Sequence, residues 1–105
     1  MSQLIDNLEK RLSSGQDDAL LRFGLGSAYF NAKDFTAAAV HLRACIEQKP
    51  DYSAAYKLLG RALIELDDVD AAKAVLTEGM PVAEAAGDKQ SQREMEVFLK
   101  KLDKR

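Results

Sequence analysis

The stretch that decides the fold runs from Asp17 to Pro50, DDALLRFGLGSAYFNAKDFTAAAVHLRACIEQKP. Sliding the chain against itself by 34 residues pairs Leu25 with Leu59, Gly26 with Gly60, Ala28 with Ala62, Asp34 with Asp68, Ala37 with Ala71, Ala38 with Ala72 and Leu42 with Leu76. Seven identities over the 32 pairs from Ala19 to Pro50 compare with roughly two expected from average residue usage. A period of this length points to stacked helix pairs, because one such unit cannot bury its apolar face without neighbours.

The glycines sharpen that reading. Gly26 and Gly60 fall at mid-helix positions, where glycine costs about 1 kcal/mol relative to alanine. Close approach of a neighbouring helix offsets such a cost, with the small residues Ala38, Ala72, Cys45 and Gly79 expected to supply matching surfaces on the second helix of each pair.

Leu25-Gly26, Tyr29, Ala38, Leu42, Cys45 and Pro50 are spaced as in a tetratricopeptide repeat, and the chain resembles that family, in the manner of its small stand-alone bacterial members. The second copy offers Tyr56, Leu59-Gly60, Leu63, Ala72, Leu76 and Gly79; it departs in having Leu63 where an aromatic is common, no closing proline, and Pro81. The resemblance implies an all-α fold, a right-handed α-α superhelix of about six antiparallel helices with covering helices at both ends. The expected single domain holds an N-terminal covering helix over residues 3–14, a first repeat over 17–50, a second over 51–86 and a C-terminal covering helix over 88–103.

Local signals agree. Leu4, Ile5, Leu8 and Leu12 share one face of the first helix, which Gly15 ends. Asp17 and Asp18 start the next helix, Asp34 or Thr36 caps the third, and Lys49-Pro50-Asp51 breaks the chain. Pro81 removes a hydrogen bond inside the fifth helix and predicts a kink near Gly79, with a clean break as the alternative. Gly87-Asp88 stops that helix and caps the last, whose Met95, Phe98, Leu99 and Leu102 form an apolar stripe. The basic cluster Lys100, Lys101, Lys104 and Arg105 reads as a solvated helix end.

Composition bounds the function. Among 105 residues, 47% are hydrophobic and 30% charged, with 15 basic against 17 acidic side chains. That balance carries no basic excess for nucleic acid, and no window approaches the apolar run of a membrane span. One cysteine forms no internal disulfide. The start, MSQLIDNLEKRL, interleaves acids with apolar residues, unlike a secretory signal, so the expected location is the cytoplasm.

No catalytic constellation assembles. His41 and Cys45 lie four apart on one helical face, but a structural zinc wants four ligands and no further His or Cys exists. Packing accounts for both. Gly24-Leu25-Gly26 lies within a helix and forms no phosphate loop. The expectation is a non-enzyme without cofactor or metal.

In tetratricopeptide proteins the first helices of successive repeats line a concave groove that receives a peptide or partner helix. By resemblance that groove is built here from residues 17–31, 52–66 and 89–103, with Phe23, Ser27, Phe30, Asn31, Lys57, Arg61, Ile64 and Glu65 facing it. Apolar and aromatic anchors beside two cations suit a protein or peptide partner that is apolar with acidic character. The clamp by which some family members hold chaperone tails is not matched, since Phe23, Ser27 and Leu58 stand at three of its places. The leading expectation is an adaptor, monomeric or weakly dimeric. The alternative is a self-assembling structural protein that forms homo-oligomers through the groove or the stack ends.

Overall fold

In the computed structural model, which describes residues 2–104, six helices follow one another: α1 (Gln3–Ser13), α2 (Ala19–Asn31), α3 (Phe35–Gln48), α4 (Ser53–Glu65), α5 (Val69–Ala86) and α6 (Lys89–Asp103). Side-chain oxygens open most of them by accepting from free first-turn amides. Ser2 serves α1, Asp18 serves α2 at 2.8 Å from the Leu21 amide, Asp34 serves α3, Asp68 serves α5 and Asp88 serves α6. Asp17, expected to share the capping of α2, instead turns to Arg22 and Gln48. Tyr52 starts α4 with no side-chain cap, and its ring stacks on Phe23 at 4.9 Å.

The helices form two layers. Each of α3 and α5 packs between two helices of the other layer, α3 on α2 and α4, α5 on α4 and α6, while α1 packs on α2. The α2–α4 and α4–α6 pairs also meet directly, whereas α3 and α5 do not, so the stack curves with α2, α4 and α6 on its inner side. The result measures 42 × 28 × 19 Å.

The 34-residue period is visible as repeated geometry. A Cβ on Gly26 would lie 2.6 Å from Leu42 Cγ, and one on Gly60 would lie 2.7 Å from Leu76 Cγ. The glycines are thus holes filled by leucine knobs of the following helix, not flat surfaces facing small residues as the sequence suggested. Both leucines are fully buried. Gly79 does the same for Tyr56, whose Cβ would be 2.6 Å away, and for Met95 Sδ at 2.7 Å. The turns repeat as well. Lys33 and Asp67, 34 apart, have φ of 65° and 59°. In both turns the next amide reaches back five residues, Asp34 to the Tyr29 carbonyl and Asp68 to the Leu63 carbonyl, each at 2.9 Å. This is the Schellman ending, which satisfies carbonyls that the helix leaves free.

Pro81 does not break α5, which runs unbroken from Val69 to Ala86. Pro81 itself is exposed, while Gly79 and Ala83 on either side are buried in the core. Packing of both flanking turns holds the helix through the missing hydrogen bond. No described helix is long and apolar enough to cross a membrane.

Candidate partner-binding groove

The inner layer presents its side chains because α2, α4 and α6 bury their other faces against α3 and α5. Of the residues expected in the groove, Phe23 is half-buried and stacked on Tyr52, and Phe30 meets the edge of Phe35 at 5.2 Å. Ser27 is half-buried on α2, and Asn31 is exposed at its end. The Arg61 guanidinium lies 4.8 Å from the centre of the Phe30 ring and 6.0 Å from that of Phe98, held between faces of negative quadrupole.

Lys57 differs from its expected role. Its ammonium donates to Glu94 of α6 at 2.9 Å, and the pair joins two lining helices instead of facing a ligand with a free charge. The cation that accompanies Arg61 is Lys101. Arg61, Ile64 and Glu65 line a cavity of about 230 Å³ together with Phe98, Lys101 and Leu102. Phe23, Ser27, Phe30, Asn31 and Lys57 stand outside that cavity, farther along the inner layer. Neither Arg61 nor Lys101 has a carboxylate partner among the described residues. The recess thus sets the apolar Ile64, Phe98 and Leu102 beside three charged side chains, Arg61, Lys101 and Glu65.

Phe98, Lys101 and Leu102 were not expected as lining residues. Phe98 and Leu102 read as core stripe, and Leu102 is indeed buried while Phe98 is only half-buried. No fixed period marks Phe98, because α6 begins 36 residues after α4 where α4 begins 34 after α2, which shifts the register of the last inner helix.

A second polar cluster binds α1 to the rest. Asp17 accepts two bonds from Arg22, Nε to Oδ1 at 2.8 Å and Nη2 to Oδ2 at 2.9 Å, and a third from Gln48 at 2.8 Å. The Arg22 bonds, then the Gln48 bond, hold the Asp17 carboxyl far below the usual carboxylate range. Arg22 also reaches His41 Nδ1 at 3.1 Å. Since arginine only donates, Nδ1 accepts and the ring proton sits on Nε2, 3.4 Å from Glu9 Oε1. His41 stacks flat on Tyr29 at 5.4 Å, and burial lowers its pKa. Cys45, one turn on, is fully buried, and desolvation pushes its thiol up to about 11. The His41–Cys45 pair is therefore committed to packing and to the α1 contact, with no activated thiolate.

The comparisons with known proteins agree with this architecture. A family model described as tetratricopeptide repeat matches residues 29–86. A TPR repeat-containing protein of Pseudomonas aeruginosa is 50% identical over 101 residues, covering 96% of each chain. Among solved structures, a protein of Bordetella parapertussis in solution superposes with a TM-score of 0.84 at 38% identity, over 99% of this chain and 90% of that one. The crystal structure of a tetratricopeptide repeat domain protein from Salinibacter ruber gives 0.77 at 24% identity, over 83% and 97%, a likeness of fold alone.

Proposed function

This chain belongs to the tetratricopeptide repeat family, a family of protein-interaction modules, and from that premise we propose that its inner groove binds a segment of a partner protein. The segment places an aliphatic side chain in the α4–α6 recess and a carboxylate against Arg61 and Lys101. One observation carries this reading: a guanidinium held between Phe30 and Phe98, with no ion-pair partner among the described residues, borders a recess walled by Ile64, Phe98 and Leu102, where Lys101 outweighs the single carboxylate of Glu65. Holding Arg61 between rings fixes its direction in advance, which lowers the entropy cost of engaging a ligand. The rest of the groove, through Phe23, Ser27, Phe30 and Asn31, receives the continuation of the segment.

The test is fluorescence anisotropy with two labelled peptides of alternating leucine and charged residues, one acidic and one with lysine at each acidic position. The acidic peptide binds in preference, and the preference inverts in the Arg61→Glu, Lys101→Glu double variant. Equal binding of the two peptides by the wild type would overturn the assignment.

A further inference from the structure

We propose that the groove recess also accepts the α4–α5 turn of a second copy of this chain, so that two copies pair about a two-fold axis. This rests on the reading of the recess as the groove's docking pocket. Leu66, at the start of that turn, is 41% exposed, and its neighbours in the chain are acidic: Glu65, Asp67, Asp68 and Asp70. The turn is thus an aliphatic side chain set among carboxylates, the ligand chemistry that the recess favours. Asp68 and Asp70 of the turn have no cationic partner among the described residues, just as Arg61 and Lys101 have no anionic one, while Glu65 belongs to the wall of its own recess.

Position decides the symmetry. Ile64 and Glu65 line the recess and Leu66 follows as the C-cap of α4, so protrusion and cavity lie at the same end of one helix. A patch that carries both halves of a contact side by side is self-complementary. Two copies facing each other insert Leu66 reciprocally and close as a dimer, whereas a cavity and protrusion on opposite sides would build an open chain. The monomer thus leaves Leu66 partly in water at the same end of α4 as a recess that can cover it. A contact of this extent falls in the class of small, transient interfaces, so the dimer forms at high protein concentration and competes with an outside segment for the same recess.

Light scattering and sedimentation on the full chain, from micromolar to millimolar, read the mass. The wild type rises from 11.6 kDa toward twice that value. Leu66→Lys faces the cations of a second recess with another cation, and Arg61→Glu with Lys101→Glu faces an acidic turn with an acidic recess, so each variant alone stays at the monomer mass. Mixed in equal amounts they pair again, though more weakly than the wild type, since one contact is native on both sides and the other brings only the new lysine of the first variant to the acidic recess of the second. That rescue excludes misfolding as the cause of the loss. A wild type that stays monomeric at millimolar concentration overturns the proposal, as does a Leu66→Lys variant that self-associates like the wild type, or a mixture that fails to pair. Leu66→Lys leaves the recess intact, so its binding of the acidic leucine peptide separates the two readings. Capture of that peptide without any wild-type dimer sinks the pairing alone, and absence of both sinks the groove as well.

Discussion

Replacing Gly60 with alanine sets helix propensity against packing, and the structure decides which wins. Propensity favours alanine by about 1 kcal/mol at an interior helical position. Against it, the new Cβ would lie 2.7 Å from Leu76 Cγ and closer still to its Cδ2. Cγ is one bond from Leu76 Cβ, so it clears the methyl only by rotation off its χ1 well, at about 0.5–1.5 kcal/mol, or by backbone separation of α4 and α5. Leu76 is fully buried, so a rotated side chain meets other core atoms. Overpacking of this kind costs about 1–3 kcal/mol, and at the middle of that range the balance is a net loss of about 1 kcal/mol once the propensity gain is subtracted. At about 4–8 °C per kcal/mol for a domain of this size, Gly60→Ala melts about 4–8 °C below the wild type. Gly24 supplies the control, because it is also helical but its Cβ would meet only Leu8 Cδ1 at 3.9 Å, an ordinary contact. Gly24→Ala therefore gains most of the propensity term, about 0.5–1 kcal/mol, and melts higher. Thermal denaturation followed by circular dichroism measures both. A Gly60→Ala protein as stable as the wild type, or a Gly24→Ala protein that is equally damaged, would show that the leucine knobs do not set the helix spacing.

Cys45, buried and with its thiol pushed up to about 11, reacts with a thiol reagent at neutral pH only as fast as the fold opens; a native-state rate equal to that in denaturant would contradict its placement. Lys33 is exposed with φ of 65°, so Lys33→Gly relieves a left-handed conformation at about 1–2 kcal/mol, less the entropy cost of glycine, and raises the melting temperature by a few degrees. Bonds from Ser53 and then Ser91 depress the Asp88 pKa. A depressed carboxylate adds stability that is present above its unfolded value of about 3.9 and lost as pH falls through the lower folded value, so Asp88→Asn flattens the acid side of a stability–pH profile below about pH 4.

The fold was legible because its decisive residues answer to a local conflict. A glycine in the middle of an amphipathic helix is unfavourable unless something must come close, and Gly26 and Gly60 repeat that conflict 34 residues apart, with Leu42 and Leu76 repeating the answer. Caps and turns were legible for a similar reason, since Asp34, Asp68 and Asp88 act on amides three residues away. The groove was legible only in part. Arg61, Ile64 and Glu65 were found on the face that α4 presents, but the true partner of Lys57 lies 37 residues on, and nothing local to Lys57 announces Glu94. The period itself explains the gap. The inner helix α4 begins 34 residues after α2, but α6 begins 36 after α4, because α5 runs 18 residues where α3 runs 14. A step of 34 from the buried Leu59 therefore arrives at the exposed Arg93, whereas a step of 36 arrives at Met95, which is fully buried. The lengthened α5 thereby takes the last inner helix out of the register that Gly26 and Gly60 set, and the residues of α6 that border the recess are the ones a fixed period does not reach.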